Sequence, residues 1–168
     1  MIHVCSLARL HDTVVDTRAR HVVTLIKDIS LVRRPESIVS DNHLLLDMDD
    51  IVTEIDGYVP PNEAHVEKLI EFVSRWDRTA PIVVHCYAGI SRSTAGAFIT
   101  ACALNPNRDE TVIAKCIRDS SPTAIPNMRL VTLADKILGR QGRMVKAVQA
   151  IGPGLSAYEG VPFRLDLE

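Results

Sequence analysis

One stretch constrains the fold of this chain more than any other: residues 81–104, "PIVVHCYAGISRSTAGAFITACAL". It opens with "PIVVH", an apolar run bounded by a breaker, the pattern of a central strand buried on both faces. It closes with "STAGAFITACAL", apolar nearly all round, which predicts a helix enclosed by protein. Between them lies a short loop within "HCYAGISRS", His85 to Ser93. A buried strand that passes through a tight loop straight into a buried helix is the unit of a layered α/β domain.

The rest of the chain agrees with that unit. "IHVCSL" alternates apolar residues at period two and reads as a first strand. "HDTVVDTRAR" is a short helix or turn, "HVVTLI" (21–26) a buried strand, and "RRPESI" a loop because Pro35 breaks either regular structure. "HLLLDM" (43–48) is a third strand running into the acidic cluster "DMDDI". After "GYVPPN", Val66, Leu69, Ile70 and Val73 fall on one face of a helix in "EAHVEKLIEFVSRW". "DETVIAKCIRDS" and "NMRLVTLADKILG" read as two further amphipathic helices, the second stopped by Gly139. "GRMVKAVQAIG" is a candidate last helix. Strands alternating with helices predict a single α/β domain with a mostly parallel central sheet flanked by helices. Its expected bounds are 1–151, followed by an irregular tail, 152–168, packed on the domain.

Composition narrows the function classes. The chain of 168 residues is 46% hydrophobic with a formal net charge of −2, which fits one soluble domain with a sizeable core. The near-neutral charge gives no reason to expect nucleic acid. No apolar run approaches the roughly 20 residues of a bilayer span, so no membrane partner is expected. "MIHVCSLARL" lacks the order of a signal peptide, and four cysteines without paired spacing are no disulfide framework. The default expectation is a reduced, cytoplasmic protein. Cys5, Cys102 and Cys116 read as small hydrophobes. His3, His11, His21, His43 and His65 lack metal-ligand spacing and read as surface or satisfied core positions, so no metal or cofactor is expected. Arg33 and Arg34 read as a solvated loop pair, and Trp76 as packing.

Cys86 has different neighbours. The N–H groups of a helix's first turn lack intrahelical partners and, with the helix dipole, make a ready anion site. Gly89 lets the loop fold tightly, so that the amides of Tyr87, Ala88, Gly89, Ile90, Ser91 and Arg92 point inward as a nest. Arg92 adds a planar, permanently charged fork suited to phosphate oxygens. Phosphate, sulfate or vanadate is the ligand such a cup would take. The same amides and Arg92 favour a thiolate at Cys86, at the floor of the cup. A thiolate facing a bound phosphate can attack phosphorus and divide hydrolysis into two easier steps. Ser93 is placed to donate a hydrogen bond to the sulfur as it leaves, and His85 to orient the loop.

"HCYAGISRS" resembles the signature of the cysteine-dependent protein tyrosine phosphatase superfamily, His-Cys-x5-Arg-Ser/Thr. The compact size and the later "AIPNMRL", with Asn127 as a supporting residue, resemble its small dual-specificity-like branch. The likeness runs from about Val22 to Leu133. It implies a phosphate monoester hydrolase acting through a cysteinyl-phosphate intermediate on a phosphorylated protein or small phosphomonoester. It also implies an aspartate general acid on a loop upstream of the cysteine. In "LDMDDIVTEIDG" the candidates are Asp47, Asp49, Asp50, Glu54 and Asp56; Asp50 matches the pattern best, with Asp49 as the near alternative. Two other readings stay open: a rhodanese-type sulfurtransferase, and a pseudophosphatase that binds phosphoproteins without turnover, against which stand the intact Cys86 and Arg92. The loop carries no lysine, which argues against inositol lipids as substrate.

Overall fold

The computed structural model describes residues 1–167. Among these, β1 (Ile2–Ser6) is followed by α1 (Leu10–Thr17), β2 (His21–Leu25) and β3 (His43–Leu46). Next come α2 (Glu63–Ser74), β4 (Ile82–Cys86), α3 (Arg92–Leu104), α4 (Glu110–Ser120), α5 (Met128–Ile137), α6 (Arg143–Ala150) and β5 (Phe163–Leu165). The sheet order is β3-β2-β4-β1-β5, parallel throughout except for the antiparallel pairing of β5 with β1. This is the α/β domain with a mostly parallel sheet that the alternation of strands and helices predicts.

Period-two alternation sorts the strand side chains onto two faces. Val4, Val23 and Val84 join the larger core with residues of α2 to α6, whereas Cys5, Val22 and Val83 pack with Leu10, Val14 and Ile38 beneath α1. β4 is central and all five of its residues are buried. α3 is buried over most of its length, and a Cβ on Gly96 would lie 3.0 Å from Val84 Cγ1, so helix and strand are in close contact. α2 is capped by Asn62, whose side chain accepts from His65 N while His65 Nδ1 accepts from Asn62 N. Trp76 lies just past the end of α2, buried, with its indole N–H donated to Ala80 O at 2.9 Å.

Two boundaries differ from the sequence reading. The third strand ends at Leu46, so Asp47 lies just beyond it. The tail expected to be irregular contains β5, with Phe163 opposite Val4 and Leu165 opposite Ile2. The segment covers the free edge of β1 and buries both of its apolar side chains, so the sheet extends past residue 151. Phe163→Ala should therefore lower the stability of the whole domain by about 3 kcal/mol in urea unfolding. An unchanged unfolding midpoint would mean that the tail is not part of the cooperative unit.

Candidate active site

The carboxyl ends of the parallel strands open on one edge of the sheet, where ligands bind in open α/β folds. β4 ends there on Cys86, in register with Ser6 of β1. The loop turns back at once and α3 starts at Arg92. Gly89 makes this possible on two counts. Its φ is +74°, and a Cβ would lie 2.8 Å from both the carbonyl carbon of Cys5 and the amide nitrogen of Ser6.

The loop's carbonyls are tied outward. Tyr87 O accepts from Leu7 N (3.1 Å), Ala88 O from Gly160 N (2.8 Å), Ile90 O from Ile125 N (3.0 Å) and Ser91 O from Asn127 N (3.2 Å). A trans peptide unit is planar with its C=O and N–H on opposite sides. The amides that follow those carbonyls, at 88, 89, 91 and 92, therefore face the cup. Gly89 N–H is directed at Cys86 Sγ at 3.3 Å. Ser93 Oγ, fully buried, is 3.1 Å from the same sulfur. Arg92 is buried, with Nη1 donating to Met48 O at 2.7 Å, while its Nε–H is enclosed without an acceptor. The cup thus combines a sulfur, inward amides and a cationic donor still to be satisfied, the requirements of a tetrahedral oxyanion.

The acidic candidates separate by geometry. Asp50 Oδ1 accepts from Ser91 Oγ (2.8 Å) and from Asn127 Nδ2 (2.9 Å), and Oδ2 lies 4.0 Å from Arg92 Nε. Asp49 closes its own loop instead, exchanging backbone and side-chain bonds with Val59. Glu54 pairs with Arg129, and Asp47 with Lys27 and the backbone of Asp28. Asp56 is exposed. Asp50 is the carboxylate at the cup. Asn127 joins three parts: its side chain reaches Asp50 and caps α5 through Leu130 N, and its backbone holds Ser91 O. Beyond Asp50 and Ser91 a groove of about 630 Å³ is lined by apolar residues including Ile51, Val52, Ile55, Ile125 and Val148, with no lysine or arginine in its walls.

Behind Cys86 is a cluster that sequence reasoning missed. The Thr24 hydroxyl lies 2.6 Å from His85 Nε2 and 2.8 Å from His43 Nε2. A single hydroxyl proton serves one ring, so Thr24 donates to one histidine and accepts from the other. Nothing in residue spacing links positions 24, 43 and 85; the link arises because β3, β2 and β4 are neighbours in the sheet. Burial, with the nearby His43 adding to it, lowers the His85 pKa to about 3, and burial with Arg34 lowers that of His43 to about 4. Both rings are neutral at pH 7, and His85, the residue before Cys86, is tied to β2 through Thr24 as a neutral group. The remaining arginine candidates lie outside the cup, Arg34 donating to Ile38 O and Arg33 pairing with Glu36.

A family model described as protein-tyrosine phosphatase matches residues 55–129, a span that contains Cys86, Arg92 and Asn127 and begins after Asp50. No curated protein matches the sequence. Solved structures are similar in fold. The Cydia pomonella PTP-2 phosphatase superposes with a TM-score of 0.63 at 19% identity, covering 80% of this chain and 84% of that one. Human DUSP28 gives 0.63 at 14% identity, over 83% of this chain and 92% of its own. PTPMT1 in complex with PI(5)P gives 0.61 at 16% identity, over 89% and 93%.

The histidine cluster sets a pH dependence. A histidine held neutral in the fold contributes stability that is complete above its ordinary value of 6.5 and is lost as pH falls toward the folded value. His43→Gln should therefore show a shallower fall in the urea midpoint between pH 7 and pH 4 than the wild type. Identical slopes would mean that His43 takes up its proton equally in both states.

Proposed function

We propose that this chain, a member of the protein tyrosine phosphatase superfamily with the fold of its small dual-specificity-like branch, hydrolyses phosphate monoesters through a cysteinyl-phosphate intermediate. The observation that carries the reading is Arg92. Its buried Nε–H has no hydrogen-bond acceptor, with the Asp50 carboxylate 4.0 Å away, and the Gly89 amide beside it faces the Cys86 sulfur, a setting that favours an anion.

In the reading, phosphate oxygens take the amides of residues 87–92 and the Arg92 fork. The Cys86 thiolate attacks phosphorus along the line opposite the ester oxygen; the S–P bond forms as the P–O bond breaks. Asp50 gives its proton to the departing oxygen. In the second step Asp50 takes a proton from water, whose oxygen attacks phosphorus, and the sulfur leaves with its charge stabilised by the Ser93 hydroxyl and Gly89 N–H. His85 and Asn127 position the loop and the acid. No step calls for a metal or cofactor. The reaction needs only water as second substrate.

The substrate in this reading is a phosphorylated protein or a small phosphomonoester. The loop side chains Tyr87, Ala88, Ile90 and Ser91 bring no positive charge, and the adjoining groove is apolar, features that suit a peptide side chain better than a highly charged head group. The setting proposed for the activity is the cytoplasm; no helix among the described residues is long and apolar enough to cross a membrane.

The test is phosphate release from phosphotyrosine, phosphoserine and phosphoinositide substrates. Wild type should turn over the phosphopeptides, and Cys86→Ser should abolish turnover while still binding phosphate analogues. Arg92→Lys keeps the charge but loses the planar fork and should lose about a hundredfold in kcat/KM. Asp50→Asn should lose the fall in rate at high pH and slow a poor leaving group about a hundredfold more than an activated aryl phosphate. Sulfur transfer from thiosulfate to cyanide would indicate the sulfurtransferase reading, phosphopeptide binding without turnover the pseudophosphatase, and preferential release from phosphoinositides a lipid substrate.

A further inference from the structure

The segment that follows α6 crosses the outer side of the 87–92 loop before it becomes β5. Leu155 N donates to Pro122 O at 2.9 Å, and a Cβ on Gly154 would meet Ala124 O at 2.7 Å, so backbone lies on backbone. Residues 121–127 in turn hold Ile90 O and Ser91 O through Ile125 N and Asn127 N. Further on, Glu159 Oε1 accepts from the Ser6 hydroxyl at 2.5 Å, and Gly160 N donates to Ala88 O at 2.8 Å.

The last bond bears on the nucleophile. One planar peptide unit joins Ala88 to Gly89, with Ala88 O on its outer side and Gly89 N–H on its inner side. Gly160 holds the outer side, and the inner side donates to Cys86 Sγ at 3.3 Å. A glycine is needed at 160 for contact rather than for conformation. Its φ lies outside the left-handed region, but a Cβ there would sit 2.7 Å from Gly89 O and 3.3 Å from the Gly89 carbonyl carbon. Ser6, which pins the preceding residue, stands opposite Cys86 in the β1–β4 register.

We propose that Glu159 and Gly160 form a positioning element of the active site, holding the Ala88–Gly89 peptide so that its N–H faces the Cys86 sulfur and the bound oxyanion. This rests on the reading of residues 86–92 as an anion-binding catalytic cup. The C-terminal segment is then part of the catalytic apparatus through the peptide that it holds.

The experiment measures tungstate affinity by calorimetry together with kcat for an aryl phosphate and the melting temperature. Gly160→Ala should weaken tungstate binding and lower kcat, each by about tenfold, the scale of one charge-assisted hydrogen bond misaligned. Glu159→Ala, a change at an exposed position that removes the acceptor for Ser6, should act in the same direction by a smaller factor. Ile113→Val, in the core beneath α4, should lower the melting temperature without changing tungstate affinity, separating positioning from general stability. Wild-type tungstate affinity in both Gly160→Ala and Glu159→Ala overturns the proposal; if Gly160→Ala does not fold, Glu159→Ala decides alone. A wild type that releases no phosphate, yet binds tungstate in a manner weakened by these substitutions, would overturn the hydrolase reading and leave the positioning role standing.

Discussion

Each peptide unit of the 87–92 loop can face only one way, and the site depends on which. Amides turned inward make an anion cup around a sulfur; carbonyls turned inward would make a site for a cation and repel both thiolate and phosphate. What fixes the choice is a set of backbone donors outside the loop: Leu7, Gly160, Ile125 and Asn127, which take the carbonyls of Tyr87, Ala88, Ile90 and Ser91. These donors come from the end of β1, the C-terminal segment and the turn before α5. Donors from three widely separated parts of the chain thus hold one short loop.

The same logic extends to Asp50. Asp50 is held over the cup by Ser91, a residue of the loop, and by Asn127, a residue that also caps α5 and takes a loop carbonyl. Asp50 and the cup are therefore indexed to each other through shared partners, and Arg92 is tied to the segment that carries Asp50 through Met48 O. Asp49 has the complementary task. Its two bonds to Val59 close the segment from which Asp50 projects.

Much of this was legible in the sequence because it is local. The strand-loop-helix unit around Cys86, the one-sided helix at Val66, Leu69, Ile70 and Val73, and the turn at Pro35 are each written within a few neighbouring residues. Gly89, Arg92 and Ser93 could be placed because a tight turn at a helix N-terminus needs them near Cys86. The features that escaped are non-local. β5 is three residues long and acquires its identity only from pairing with β1. The Thr24 bridge between His43 and His85 exists because three strands adjoin. The sequence favours Asp50 over Asp49, but the bonds that engage Asp49 with Val59 and set Asp50 beside Arg92 are visible only in the fold. Gly160 carries no sequence signal at all, since its role is defined by a carbonyl far away in the chain.

The central claim is that Cys86 is the atom to which a phosphoryl group is transferred. Its most direct test is rapid denaturation of the protein while it is mixed with an aryl phosphate, followed by mass spectrometry of the peptide spanning residues 81–104. The account predicts one added phosphoryl group, borne by the sulfur of Cys86. A phosphoryl group on Ser93 instead, or steady turnover with no modified peptide even in an Asp50→Asn variant slowed in its second step, would contradict it.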